Sequence, residues 1–82
     1  MAVSVTVRYF AVLRDLAGKG EERLEIEAGA VASQLYTQLA ERYGFPLKLR
    51  DVRVAVNDEF APSEHVLRDG DRLVFIPPVA GG

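Results

Sequence analysis

Val3, Val5, Val7 and Tyr9 are separated by Ser4, Thr6 and Arg8. Strict alternation is the period of a strand with one buried face, so residues 3–10 predict a first strand. Phe10 is out of phase and falls on the polar face. Residues 11–17 predict a short helical turn closed by Gly18, and Gly18-Lys19-Gly20 predicts a turn. Alternation resumes over 21–28, with Leu24 and Ile26 inward and Arg23, Glu25 and Glu27 outward. The two strands therefore form a hairpin around a long loop. The period then changes. Leu35, Leu39 and Tyr43 recur at helical spacing, Ala32, Tyr36 and Ala40 widen the stripe, and Gln34, Gln38, Glu41 and Arg42 take the wet side. Gly44 is a C-terminal stop with Pro46 two residues on, so the predicted helix spans 31–43.

Residues 45–50 read as a connector. Residues 52–56 alternate as a strand that ends at Asn57-Asp58, which is turn chemistry. Residues 59–66 are irregular, with a brief edge strand near Phe60. Asp69-Gly70-Asp71 is a strong turn signal. Residues 72–76 are nearly all apolar, as expected of a central strand covered on both faces. Pro77-Pro78 ends it, because proline cannot donate to a ladder. The order is strand, strand, helix, strand, short edge, strand. A helical crossover lets the last strand run parallel to the first, with the helix across one sheet face. The expected class is α+β: a β-grasp, or ubiquitin-like, mixed sheet over residues 1–76, with one main helix on one face and a flexible tail over 77–82. The other sheet face is exposed, and Phe10 projects toward it.

The chain has 82 residues, room for one domain. About half of them are hydrophobic (49%) and 27% are charged, a balance that fits a globular domain. The formal net charge of -2, with Lys and Arg scattered, gives no footprint for nucleic acid. No apolar run approaches the roughly 18 residues of a membrane span, and the N-terminus lacks a signal-peptide pattern. There is no cysteine, which excludes disulfides, thiolate metal sites and a cysteine nucleophile and fits a reducing cytoplasm. Any sulfur chemistry would have to use something other than a side chain.

The tail Pro77-Pro78-Val79-Ala80-Gly81-Gly82 carries almost no bulk. Extended at about 3.3 Å per residue it reaches roughly 20 Å. Pro77-Pro78 favours polyproline II geometry and directs the chain away from the body. Gly81 and Gly82 lack Cβ atoms and fit a narrow channel. A stiff base with a slim tip suits delivery of a terminal carboxylate into another protein's active site. A bare Gly-Gly end also fits a frayed terminus. The difference here is its place directly after a β-grasp pattern and a Pro-Pro pair.

The chain resembles the small subunit of molybdopterin synthase, the sulfur carrier of molybdenum cofactor synthesis. The resemblance lies in Tyr9-Phe10-Ala11-Val12-Leu13-Arg14-Asp15-Leu16-Ala17-Gly18, Val54-Ala55-Val56-Asn57, Leu67-Arg68-Asp69-Gly70-Asp71 and Phe75-Ile76-Pro77-Pro78-Val79-Ala80-Gly81-Gly82. It implies that Gly82 is the reactive residue. A ubiquitin-activating-like adenylyltransferase would use ATP to make the Gly82 acyl-adenylate. A sulfur donor, such as a cysteine desulfurase or a rhodanese-type protein, would convert it to a thiocarboxylate. That group would pass its sulfur to cyclic pyranopterin monophosphate inside the large subunit, in a heterotetramer of two small and two large subunits. The resemblance further implies no bound cofactor or metal, no nucleic-acid or membrane partner, and catalytic residues on the large subunit. Insertion of the tail involves Pro77, Pro78, Val79, Ala80 and Gly81. Relatives often carry Ser or Thr where this chain has Ala80, which removes any hydroxyl hydrogen bond there.

The resemblance also implies that Phe10, Phe60 and Ile76 contact the large subunit. All three also fit a core role, although the phase of Phe10 favours the interface. His65 stands alone and reads as a loop residue. Asp58-Glu59 reads as a solvated turn, and Asp69-Gly70-Asp71 lacks the other ligand positions of a calcium loop. Arg8, Arg14 and Arg53 could each meet an acidic group on a partner or none. Alternative functions stay open: a carrier for thiamine, cysteine or tRNA thiolation, a ubiquitin-like protein modifier, or a β-grasp interaction module with an inert tail.

Overall fold

The computed structural model describes residues 1–78. Five strands form one mixed sheet: β1 (Ala2–Tyr9), β2 (Glu21–Glu27), β3 (Arg53–Val56), β4 (Glu59–Ala61) and β5 (Arg72–Ile76), in the order β2-β1-β5-β3-β4. Helix α1 (Ala11–Ala17) sits in the β1–β2 connection, and α2 (Ala32–Tyr43) is the crossover helix. β2 and β1 are antiparallel, β1 and β5 parallel, and β5 and β3 antiparallel. This is the β-grasp arrangement expected from the pattern.

The core lies between α2 and one face of the sheet. Val5, Val7 and Tyr9 of β1, Leu73 and Phe75 of β5, and Val54 and Val56 of β3 meet Ala32, Leu35, Tyr36 and Leu39 of α2. Leu13 and Ala17 of α1 and Leu67 close the sides. Alternation thus delivers the buried set in β1, and helical periodicity delivers it in α2.

Three local features depart from the sequence reading. The last strand is not covered on both faces: Leu73 and Phe75 are buried, but Val74 and Ile76 are half-buried on the side opposite α2. Among the described residues one helix layer covers the sheet, so the apolar run of β5 leaves a partly open apolar row. The connector after α2 contains a 3₁₀ turn at Leu49–Asp51. Its Leu49 carbonyl accepts the Val52 N–H at 3.0 Å, and β3 accordingly starts at Arg53. Phe45, in the same connector, is buried, and its ring lies 5.9 Å from Tyr9, 5.9 Å from Tyr36 and 5.7 Å from Tyr43, centroid to centroid.

Helix α2 begins without a capping hydroxyl or carboxamide at its N-cap, Val31. The loop after β4 replaces it: Ala32 N–H donates to the His65 carbonyl at 3.0 Å and Ser33 N–H to the Ser63 carbonyl at 2.8 Å. These bonds satisfy first-turn N–H groups that have no partner inside the helix. His65 therefore acts through its backbone, as a loop residue. At the other end, Gly44 adopts φ 71° and sends its N–H to the Ala40 carbonyl at 2.8 Å, a left-handed stop that glycine takes without strain.

Candidate functional site

The uncovered sheet face is built by strand register. Arg8 of β1 pairs with Val74 of β5, Val74 with Ala55 of β3, and Ala55 with Phe60 of β4. Registered neighbours on adjacent strands point to the same face. The row Val74–Ala55–Phe60 is therefore continuous and apolar, with Arg8 at its β1 end. One step toward the end of β5, Ile76 pairs with Arg53. Tyr9 pairs with Phe75 in the parallel ladder and faces the core, so Phe10, next along, faces the open side beside Ile76. The three candidate contact residues, Phe10, Phe60 and Ile76, thus share one face. Phe60 is 65% exposed and Phe10 42%, too open for core residues. Ile76 is half-buried and is the last residue of β5, so this face surrounds the root of the tail. Pro77 is half-buried and Pro78 exposed. Val79, Ala80, Gly81 and Gly82, where the carrier chemistry was expected, lie outside the described residues.

Arginines frame the patch. The Arg53 guanidinium lies 4.3 Å from the Phe60 ring centroid, and that of Arg8 lies 5.6 Å from the Phe10 centroid. Both distances fall within cation–π range. Arg72, also on this face, is neutralised by Asp58 at 3.2 Å, and Arg23 donates to Ser4 Oγ at 3.1 Å. Arg8 reaches Glu21 only at 3.7 Å, and among the described residues no carboxylate pairs with Arg53. Periodicity alone did not point to Arg53, Ala55 and Val74 as members of this face. The alternation of β3 contained part of the signal, since Arg53 and Ala55 are out of phase with Val54 and Val56.

The backbone that presents Phe10 is strained. Ala11, the first residue of α1, has φ 52°, a left-handed value that costs a residue with a Cβ about 1–2 kcal/mol. The strand has to end abruptly there so that the chain can turn into α1 while Phe10 stays extended at φ -127°, ψ 151°. At the other side of the patch, Asn57 and Asp58 take φ 52° and 72° and join β3 to β4 in a two-residue turn. Positive φ at both turn positions matches the twist of a hairpin and favours Asn and Asp there. Asn57 also donates from Nδ2 to Asp71 Oδ1 at 2.9 Å and accepts the Arg72 N–H at 3.0 Å. Asp71 is buried, and its second oxygen accepts the Arg68 N–H at 2.8 Å. Asp69 Oδ1 accepts the Ser4 N–H at 2.8 Å. The carboxylates of Asp69-Gly70-Asp71 are thus occupied in holding the β5 entry turn, and no cluster of metal-ligating side chains exists among the described residues.

On the core side of the sheet, where Glu22 pairs with Val7, a carboxylate collects two phenols. Glu22 Oε2 accepts the Tyr9 hydroxyl and the Tyr43 hydroxyl, each at 2.6 Å, and Lys19 Nζ lies 3.5 Å from Oε1. Burial alone would raise the Glu22 carboxyl pKa, but the two hydroxyl donors and the Lys19 charge outweigh it and hold it below the usual range. Burial raises the Tyr9 phenol, and the adjacent Glu22 carboxylate raises it further. This network ties β1, β2 and the end of α2 together behind the patch.

A concavity of about 930 Å³ lies elsewhere, between β2 and α2, and is lined by Ile26, Leu35, Gln34 and Gln38 among others. It contains no histidine and no nucleophile–base pair. Among the described residues no helix is long and apolar enough to cross a membrane. The described residues thus present an open apolar sheet face around Ile76, the last residue of β5.

Residues 7–82 match the sequence pattern of the ThiS family. The chain belongs to the ThiS family. Within that family setting it is 39% identical to the molybdopterin synthase sulfur carrier subunit of Mycobacterium tuberculosis, over 98% of this chain and 99% of that one. Among solved structures, it resembles a chain of the complex of subunits 1 and 2 of the molybdopterin-converting factor of Helicobacter pylori. That match has a TM-score of 0.63 and 31% identity over 98% of this chain and 100% of that one. It also resembles the small archaeal modifier protein SAMP1 of Haloferax volcanii, with a TM-score of 0.80 and 25% identity over 96% of this chain and 99% of that one. The matched residues include the Tyr9–Gly18 motif, the patch and the tail positions.

Proposed function

We propose that this chain is the sulfur carrier subunit of a cytoplasmic molybdopterin synthase. The observation that carries the reading is the match to the mycobacterial sulfur carrier subunit over 98% of this chain, beside a family match that runs through the tail positions to residue 82. The open apolar face at the root of that tail supports it, as does the likeness to a subunit solved in complex with its partner.

In this reading the Gly82 carboxylate attacks the α-phosphate of ATP on an activating enzyme, giving the acyl-adenylate and pyrophosphate. A persulfide donor attacks the acyl carbon through its outer sulfur and AMP leaves; a thiol then cleaves the S–S bond of the acyl disulfide, leaving with the donor sulfur as a disulfide and freeing the acyl-bound sulfur. The resulting thiocarboxylate is ionised near neutral pH, with a nucleophilic sulfur, by the same logic that makes thiolates the reactive form of cysteine. The large subunit receives the tail, and the sulfur adds to cyclic pyranopterin monophosphate. Hydrolysis of the acyl–sulfur bond returns the carboxylate, and a second charged carrier completes the dithiolene. General acids, bases and phosphate-binding cations come from the large subunit, and this chain holds no cofactor of its own. The docking face orients the body so that the tail can reach.

The test is the intact mass of the protein isolated from its own host, beside a variant lacking Gly82. A species heavier by the replacement of one oxygen with sulfur, absent from the variant, is expected. Its absence after incubation with ATP, activating enzyme and sulfur donor would reject the carrier reading. A second reading, a protein modifier, is favoured by the likeness to SAMP1. It uses the same adenylate but yields an amide with a lysine of another protein, which the same mass measurement would reveal as higher-mass adducts ending at Gly82.

A further inference from the structure

The four arginines of the open face divide into two kinds. Arg72 and Arg23 are already engaged, by Asp58 at 3.2 Å and by Ser4 Oγ at 3.1 Å. Arg53 and Arg8 adjoin the apolar patch; among the described residues Arg53 meets no carboxylate, and Arg8 has only a long contact to Glu21. Arg53 rests on the Phe60 ring at 4.3 Å. A guanidinium stacked on an aromatic face keeps its N–H fork directed outward and loses little further freedom when a carboxylate arrives. Arg8 has a long contact to Glu21, 3.7 Å, with side chains 56% and 61% exposed, and exposed pairs of this kind are weak enough to exchange. Burying Phe60, Ile76 and Phe10 against an apolar partner surface would strip water from both guanidiniums. A cation desolvated without a counter-charge is costly, so the surface that covers the patch must supply one.

We propose that the protein surface receiving the tail carries carboxylates at two points, opposite Arg53 and opposite Arg8, bracketing an apolar seat for Phe60, Ile76 and Phe10. This rests on the sulfur-carrier reading and specifies the partner's chemistry within it. Arg53 is the stronger determinant, because it lies directly on the patch. The charges set the rate and register of docking, and the apolar patch sets the lifetime of the complex.

The test is association of the full chain with its cognate large synthase subunit, followed by surface resonance or stopped flow at low and high salt. Arg53→Glu and Arg8→Glu are compared with Arg23→Glu, a charge reversal on the same face away from the patch. Circular dichroism melts confirm that each variant is folded. Arg53→Glu is expected to slow association by about 10-fold or more at low salt and to flatten the salt dependence, Arg8→Glu by less, and Arg23→Glu by under about 2-fold. Folded Arg53→Glu and Arg8→Glu proteins that associate like the unaltered chain would overturn the proposal. Equal slowing by Arg23→Glu would overturn it as well, since a general charge effect would then suffice. Failure of the unaltered chain to bind at all would count instead against the sulfur-carrier reading.

Discussion

Glu22 is the single acceptor for two phenols, and removing it tests whether that arrangement holds the fold behind the open sheet face. Its side chain is 13% exposed, and Tyr9 is 2% exposed. In Glu22→Ala both hydroxyls lose a charge-assisted partner, each bond being worth about 1.5–3 kcal/mol. Tyr43 is half-buried and regains water, whereas Tyr9 does not. The expected loss is therefore about 3 kcal/mol in urea unfolding at neutral pH, or roughly 12–24 °C in Tm for a domain of this size. Tyr9→Phe alone removes one donor and leaves Glu22 with Tyr43 and Lys19, for a loss of about 1–2 kcal/mol. Combining the two gives the decisive number. If the bond accounts for the loss, Tyr9→Phe costs little once Glu22 is gone, and the cycle shows a coupling of at least about 1 kcal/mol. Additive losses in the double variant would refute the reasoning, and so would a Glu22→Ala protein as stable as the unaltered chain.

The same network predicts a two-sided pH dependence. The Glu22 carboxyl is held below its unfolded value, so its contribution is present above the ordinary carboxylate range, about 4.3, and is lost as pH falls through the folded value. The Tyr9 phenol is raised, so its contribution is complete below about 10 and is lost as pH rises beyond that. Urea midpoints across pH should show both limbs, the acid one shallower in Glu22→Gln and the alkaline one shallower in Tyr9→Phe. Phe60→Asp should leave Tm within a few degrees, because the ring is largely exposed, yet weaken binding to the large subunit by about 10-fold or more, measured by calorimetry. Ala11→Gly should be neutral or stabilising by up to about 1 kcal/mol, because glycine takes φ 52° without strain, whereas Ala11→Val should destabilise; unfolding of the pair at equilibrium reads the difference.

Much of the fold could be read locally, because each long element carries its own period. β1 alternates without a break from Val3 to Tyr9, and the Leu35, Leu39 and Tyr43 stripe defines α2. What escaped was set by distant partners. Phe45 is one aromatic in a connector with Gly44 and Pro46, and nothing in its neighbours announces that Tyr9, Tyr36 and Tyr43 converge on it. The start of α2 lacks a capping residue because the loop around Ser63 and His65 supplies the acceptors. The burial of β5 was overread because an apolar run looks the same whether one or two layers cover it. At the candidate site, phase alone singled out Phe10, and family resemblance supplied Phe60 and Ile76. The stacking of Arg53 on Phe60 depends on the β3–β4 register and on one rotamer, and neither leaves a mark in the local pattern.

The position of β5 also has a mechanical consequence. The tail leaves from the middle of the sheet, from a strand held by β1 on one side and β3 on the other. A pull on the tail along that strand loads both ladders in shear, so their bonds must yield together rather than unzip one at a time. An edge strand in the same place would peel. In the sulfur-carrier reading other proteins grip and release that end repeatedly, and a strand paired on both sides is the anchor that resists the pull.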